Sequence, residues 1–206
     1  GVASTSATFQ FEVNEGTHGS WQQLMLEDFE NGIVNSSSTD PTGRHFQESS
    51  NNSDTNAVDI TSNGDFFSGK YVRISKNNST GSMIQSIAPI DLSAADIMVI
   101  RADYRFTLVN AQGNDSLSFL IGNANTNTWA THAFHNVSNG LEQDYVYNES
   151  VIIEAGAFET AAQLRFIAST GKAGRKFAID DVMLSRFVSS TSLPDYEAIH
   201  AAGLAS

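Results

Sequence analysis

Short stretches of alternating apolar and polar residues recur along this chain, and turn-forming residues separate them. The clearest lies at 97–108 (IMVIRADYRFTL), whose residues divide between two faces: Ile100, Ala102, Tyr104, Phe106 and Leu108 on one, and Arg101, Asp103, Arg105 and Thr107 on the other. Alternation with a period of two predicts a strand with one face in a core and the other in solvent.

Further strands are predicted at 8–13, 24–29, 71–75, 82–87, 116–121, 129–136, 145–153, 163–169 and 176–187. Helical periodicity is nearly absent, and only 155–162 and 195–205 are compatible with helix. The stretch 36–63, rich in Ser, Thr, Asn, Asp and Gly, predicts a long surface excursion. Many short strands between turn signals predict an all-β sandwich or barrel.

The 206 residues suit one large β-sandwich or one and a half average domains. Since no internal repeat is visible, we predict a single domain over 1–206. Its core should run from about 8 to 188, and 189–206 should be a C-terminal tail or linker.

The amino-acid composition restricts the classes of partner and of chemistry that this chain can have. With 11 Lys+Arg against 23 Asp+Glu, the net charge of -12 repels phosphate backbones and argues against nucleic acid. With Cys 0, disulfides, thiolate zinc sites and cysteine nucleophiles are excluded. No apolar run reaches the ~20 residues that would cross a bilayer, so membrane insertion is not expected. The acidity with scarce lysine suits a secreted, extracellular or cell-surface protein, although a solvated acidic surface is the commoner explanation.

Three acidic clusters fall at predicted strands or turns: Glu27–Glu30, Asn63–Asp65 and Asp180–Asp181. Adjacent carboxylates in an apolar strand repel each other unless a cation lies near them, and calcium binds carboxylate and carbonyl oxygens in irregular geometry. The alternative is that these side chains cap turns, face water or pair with an arginine such as Arg73, Arg175 or Arg186.

The order of several short segments resembles two groups of proteins. The segments are DFENG at 28–32, SGKYV at 68–72, ADYRF at 102–106, LRF at 164–166 and FAIDDVML at 177–184. They resemble the MAM domain of cell-surface proteins and the calcium-containing carbohydrate-binding modules of secreted glycan-degrading enzymes. The resemblance covers about 24–184. The chain lacks the cysteines common near the opening MAM motif, which favours a microbial relative.

The resemblance implies a two-sheet antiparallel jelly roll (concanavalin/galactose-binding-like) with one buried structural Ca²⁺. Its implied metal ligands are Glu30, one of Asp180 and Asp181, a carbonyl of the Gly69–Lys70 turn, and Asp28 or Asp65. Strand alternation places Asp180 with Val182 and Asp181 with Met183, and leaves open which of the two points inward.

A glycan-binding face is predicted from aromatic and planar polar groups, which stack on sugar rings and hydrogen-bond to them. The predicted set is Arg101, Asp103, Arg105, Trp129, His132, Phe134, Tyr145, Tyr147 and Arg165. These side chains should line the outer face of one sheet, and the arginines would suit an acidic or sulfated glycan. The alternative is that these residues only stabilise the fold: the aromatic side chains belong to the core, and the exposed Arg and Asp side chains form cross-strand pairs.

No catalytic motif accompanies these residues: H-E-x-x-H, G-x-S-x-G and the phosphate-binding G-x-x-x-x-G-K-[ST] are all missing from the sequence. We therefore expect a non-catalytic binding module of a larger secreted protein, with polysaccharide or another glycan as its partner. The alternative is a MAM-like adhesion or assembly domain that binds protein.

Overall fold

Eleven β-strands and one turn of 3-10 helix make up the described part of the chain. The computed structural model describes residues 18–34, 41–48, 58–62, 66–75, 82–93, 97–123, 125–154, 161–172 and 174–190. The strands are β1 His18–Glu27, β2 Phe46–Glu48, β3 Val58–Thr61, β4 Tyr71–Ser75, β5 Ser82–Ser86, β6 Ile97–Val109, β7 Ser116–Asn123, β8 Thr128–Asn136, β9 Tyr147–Glu154, β10 Gln163–Ser169 and β11 Lys176–Ser190; the 3-10 turn is Val137–Asn139.

The strands form two antiparallel sheets that pack face to face, which confirms the predicted all-β sandwich. One sheet has six strands in the order β3-β4-β11-β6-β9, with β1 also paired to β11, and the other has the order β2-β5-β10-β7-β8. The 15 residues of β11 pair with β4 at their start and with β1 over their second half. Among the described residues, no helix is long and apolar enough to cross a membrane.

The core lies between the two sheets and is rich in aromatic rings. Tyr104 of β6 packs on Phe119 and Phe166 of the other sheet, with ring centroids 5.4 and 5.0 Å away. The alternation predicted for β6 is confirmed on its apolar side, where every residue from Ile100 to Leu108 in steps of two is buried. Burying each such ring contributes about 1.5–3 kcal/mol.

The other side of β6 departs from the prediction at one position. Thr107 was expected to face solvent, but it is fully buried. It lies beside Ala178 of β11, on which Phe67 and Tyr71 pack as a second, smaller core. The segment that leads into β4 therefore covers this end of the six-stranded sheet.

A β-bulge interrupts β11 at Asp180–Val182. The register with β6 shifts between Asp180 and Met183, and Asp181 has a φ of 50°. Ile179 before the bulge and Val182 after it both lie in the main core. Because two core-facing residues are separated by two others instead of one, simple alternation fails at this point.

Several predicted boundaries can be compared with the structure. The predictions for β4 and β10 match their bounds, whereas β2 and β3 lie inside the stretch 36–63 that was predicted as a surface loop. Both missed strands are only 3 and 4 residues long. The predicted strand at 8–13, the helix window at 195–205 and residues 155–160 of the other helix window lie outside the described residues.

Candidate functional site

The outward side of the five-stranded sheet is here called the Trp129 face. Paired residues lie side by side and point the same way, so the strand register arranges its side chains in three rows. The first row is Gln47, Gln85, Arg165, Leu120 and Thr131; the second is Met83, Ile167, Ser118 and Phe134; the third is Gln163, Gly122 and Trp129. Phe134 is 57% exposed and presents an open aromatic ring.

The Trp129 indole packs directly against Gly122, which has no side chain to displace it. A Cβ at Gly122 would stand 2.1 Å from the Thr128 carbonyl oxygen and 2.9 Å from Cδ2 of the indole. The guanidinium of Arg165 stacks above the ring, with its Cζ 3.5 Å from the centroid. Trp129 is therefore covered by a cation, and Phe134 is the ring that a sugar can reach directly.

A chain of hydrogen bonds holds Arg165 in place. Gln85 Oε1 accepts hydrogen bonds from Arg165 Nε and Nη2 at 3.2 and 2.5 Å. The Nε2 amide of Gln85 donates to Gln163 Oε1 at 3.2 Å, and Gln163 Nε2 donates to the Ser86 carbonyl at 2.6 Å. Since both glutamines are buried, their amides have fixed roles and the guanidinium has a fixed orientation. Burial also lowers the pKa of Arg165.

The prediction that all nine glycan-binding candidates line one sheet face was wrong. Arg101, Asp103 and Arg105 point outward from β6, which belongs to the six-stranded sheet, on the opposite side of the sandwich from the Trp129 face. There Arg101 Nε lies 2.8 Å from Asp103 Oδ2 and its guanidinium stacks 4.7 Å from the centroid of Trp21. We call this side, with Trp21, Arg101, Asp103, Arg105 and their outward neighbours, the Trp21 face.

Three of the remaining glycan-binding candidates, Tyr147, Tyr145 and His132, lie in different places in the sandwich. Tyr147 stacks on Phe106 at a centroid distance of 5.1 Å and belongs to the core side of β9. Tyr145 is 56% exposed and meets the Tyr147 ring edge to face. His132 sits at a register shift in β8 between the rows of Thr131 and Phe134, half-buried, and loss of solvent lowers its pKa. Of the nine, Trp129, Phe134 and Arg165 share the Trp129 face.

The two adjacent acidic residues of the predicted calcium site, Asp180 and Asp181, also have different surroundings. Asp180 is 3% exposed and its Oδ1 has no hydrogen-bond partner. Burial, together with the negative charges of Asp181 and Asp28, raises its pKa to about 7. Asp181 instead turns outward at the bulge, and its Oδ2 lies 2.6 Å from Arg105 Nη1. The open question about the pair is thereby answered in geometric terms: Asp180 is the buried one.

The opening motif and the Gly69–Lys70 turn are brought together. Glu30 Oε1 accepts the backbone N–H of Lys70 at 2.7 Å, and Lys70 Nζ donates to the Glu30 carbonyl oxygen at 2.7 Å. Gly69, with a φ of +86°, leaves room for this carboxylate, because a Cβ there would lie 1.8 Å from Glu30 Oε1. Asp65 lies outside the described residues.

Calcium fits part of this arrangement. The unpartnered oxygen of Asp180 is an acceptor that a cation would satisfy, and the charge of Asp28 is felt at the same carboxylate. However, no group of three His, Cys, Asp or Glu side chains within the described ranges is arranged to hold a metal ion. An ion bound here would therefore need main-chain carbonyls for most of its six to eight oxygens.

Sequence reasoning missed the structural role of Glu27. Its carboxylate is 3% exposed, and its two oxygens accept the backbone N–H groups of Phe29 and His45, each at 2.7 Å. Burial raises its pKa against the opposing effect of these two hydrogen bonds. Glu27 thus ties the end of β1 to the segment before β2. The acidic cluster contained the signal, but its spacing does not say which acid is buried.

Comparisons with known proteins bear on the fold. No family model and no curated protein sequence matches the chain. The structure is similar to the CBM22-1 xylan-binding domain of Xyn10C from Paenibacillus barcinonensis, with a TM-score of 0.52, 11% identity, and 85% of this chain and 99% of that chain covered.

Two further solved structures are similar at the same level. One holds the CBM22-1 and GH10 modules of xylanase 10B from Clostridium thermocellum complexed with xylohexaose (TM-score 0.53, 12% identity, 80% of this chain and 28% of that chain). The other is the K3 adhesin domain of Lys-gingipain from Porphyromonas gingivalis (TM-score 0.52, 13% identity, 81% of this chain and 99% of that chain). At these identities the likeness is one of fold.

Proposed function

We propose that this chain is a non-catalytic module that binds polysaccharide on the Trp129 face. The observation that carries the proposal is the pre-oriented Arg165 beside the open Phe134 ring, on a face otherwise made of amide, hydroxyl and apolar groups. Two solved proteins of the same fold support the choice of ligand class, because one is a xylan-binding domain and the other is complexed with xylohexaose.

The chemistry of the face matches that of a sugar chain. The Phe134 ring would stack on the apolar side of one sugar ring, while hydroxyls further along the chain would hydrogen-bond to Gln47, Ser118 and Thr131. A module of this kind raises the effective concentration of an attached enzyme at its substrate. We therefore also propose that the chain acts outside the cell as part of a larger secreted protein.

Native gel electrophoresis through gels that contain neutral or acidic polysaccharides tests this proposal. We expect one class of polymer to retard the wild-type protein and Phe134→Ala to weaken the retardation about tenfold, since stacking contributes about 1.5 kcal/mol. The matched control is Ile152→Ala, because Ile152 is 53% exposed on the Trp21 face. Retardation by no polymer, or equal loss in both variants, would contradict the proposal.

A structural calcium ion is part of the proposal. Asp180 and Asp28 would hold it together with main-chain carbonyls. The bound ion would neutralise a buried carboxylate whose Oδ1 has no hydrogen-bond partner, and would thereby join β11 to the turn after β1.

A second function, protein adhesion through the Trp21 face, is favoured by a different observation. Trp21, Leu26 and Ile152 are 40%, 47% and 53% exposed on this one face, and exposed apolar patches often mark protein interfaces. An adhesion domain should associate with protein partners, and Leu26→Glu should abolish that association in analytical ultracentrifugation. Sugar binding should survive this substitution.

A further inference from the structure

We propose that the polysaccharide bound on the Trp129 face is acidic, and that Arg165 binds the carboxylate of a uronic acid residue. This inference rests on the proposed function, since it concerns the same face. It names the charge of the ligand and the residue that selects for it.

Arg165 differs in its partners from four other arginines of the sandwich, and resembles Arg186, which donates to the neutral amide of Gln22. Arg73, Arg101, Arg105 and Arg175 each have an Asp carboxylate within 4.0 Å. Among the described residues, Arg165 has no such ion pair: it contacts the neutral amide of Gln85 and the Trp129 ring. A half-buried guanidinium without a counter-ion retains its full attraction for an anionic ligand.

The geometry leaves a usable edge on the guanidinium. Nε and Nη2 share one acceptor, Gln85 Oε1, and Nη1 has no hydrogen-bond partner within the described part of the chain. The edge formed by Nη1 and Nη2 is therefore open, and a carboxylate accepts two parallel hydrogen bonds from such an edge. Because the relay through Gln85 and Gln163 holds the group, little side-chain entropy remains to be lost on binding.

The surroundings do not oppose an anion locally, although the whole chain has a net charge of -12. The strands of the five-stranded sheet contain one carboxylate, Glu48, at the end of edge strand β2. Glu48 is paired with the core-facing Ile84, whereas Arg165 is paired with Gln85. The distant acidic groups are screened at physiological ionic strength, where the Debye length is about 8 Å.

The spacing of the two binding elements sets a minimum length for the ligand. Arg165 lies on β10 and Phe134 on β8, with β7 between them. Two strand spacings of about 4.8 Å separate the backbones. One sugar ring cannot therefore stack on Phe134 and place its carboxylate at Arg165 at once, and a free monosaccharide uronate should bind far more weakly than an oligomer.

The test compares anionic with neutral polymers, and one pair differs only in esterification of the carboxylates. Binding of polygalacturonate and alginate is measured by calorimetry at physiological ionic strength, next to fully methyl-esterified polygalacturonate and to xylan as a neutral polymer. We expect at least one uronate polymer to bind, esterification to weaken binding more than tenfold, and Arg165→Gln to cause a similar loss. Arg165→Lys keeps the positive charge but loses the pair of parallel N–H donors, so it should retain only part of the wild-type affinity.

The matched control is Arg101→Gln, which removes the same charge and the same kind of stacking on a tryptophan from the Trp21 face. It should change affinity less than twofold. Equal losses in both variants would overturn the role of Arg165, because they would indicate a general charge effect. Equal binding of esterified and free polymer, or binding of xylan alone, would overturn the acidic ligand and leave the proposed function intact. Binding of no polymer would overturn both.

Discussion

The imidazole of His135 should make the stability of this sandwich depend on pH, and His135→Gln should remove that dependence. The ring packs against Phe106 at a centroid distance of 4.3 Å, and its Nε2 lies 2.8 Å from the Tyr104 hydroxyl. Burial raises the pKa of Tyr104 far above its usual value, so this hydroxyl keeps its proton. The hydroxyl donates to Nε2 when the neutral ring carries its proton on Nδ1, and accepts from Nε2 when that nitrogen is protonated. The cost of protonating His135 is therefore the burial of a charge.

The magnitude follows from the pKa, which burial lowers from 6.5 to about 4 in the folded state. Because the folded pKa lies below the unfolded one, the unfolded state binds the proton first as the pH falls. The contribution is complete above pH 6.5 and is lost progressively towards pH 4. The difference corresponds to about 3 kcal/mol, and water that reaches the half-exposed ring reduces it to about 2 kcal/mol.

Guanidinium unfolding followed by the fluorescence of Trp21 and Trp129 measures this effect. Between about pH 7.5 and about pH 4, wild type should lose about 2 kcal/mol relative to His135→Gln. Glu149, whose pKa burial raises, has the opposite effect, so Glu149→Gln serves as a control that must shift the profile the other way. Parallel pH profiles for wild type and His135→Gln would refute this account of the core.

Two other predictions test the calcium proposal and the packing of the Trp129 face. Chelation should lower the melting temperature by roughly 5–10 °C if the ion is present at about a hundred times its Kd, a contribution of about 2.7 kcal/mol; Asp180→Asn should abolish this response in a thermal melt, and Asp181→Asn should keep it. Gly122→Ala should destabilise the protein by about 2 kcal/mol in denaturant titrations, because the added Cβ overlaps the Thr128 carbonyl. It should also weaken polysaccharide binding, since Trp129 must move, whereas unchanged binding would indicate that the indole position is unimportant.

The sequence predicted the long central strands well because their alternation is reinforced over many residues. β6 has 13 residues with a regular apolar side, and its bounds differ from the prediction by one residue. β2 and β3 were missed because strands of 3 and 4 residues show too few alternations to stand out in a stretch rich in turn formers. Their pairing with β5 and β4 is a tertiary effect, and local propensity does not encode it.

The composition of the candidate face could be predicted only in part, for a topological reason. Alternation identifies which residues of one strand share a side, as it did for Arg101 and Asp103 on β6 and for Arg165 on β10. It does not identify the sheet that each strand joins, because that depends on pairings between distant segments. β6 pairs with β9 and β11, whereas β10 pairs with β5 and β7. Two sets of outward residues that look alike in sequence therefore lie on opposite sides of the sandwich.

The acidic pair in β11 shows a different limit, because there the assumption of regular alternation itself fails. In a regular strand Asp180 and Asp181 would point to opposite faces, and one of them would enter the apolar core beside Ile179 or Val182. The bulge avoids this: Asp181 adopts a positive φ and turns to Arg105, while Asp180 is buried with its Oδ1 lacking a hydrogen-bond partner. The sequence signal was the adjacent pair of carboxylates in an apolar run, which alternation cannot accommodate at low cost. Such a pair predicts a bulge, and the buried member is the one to test for a bound cation.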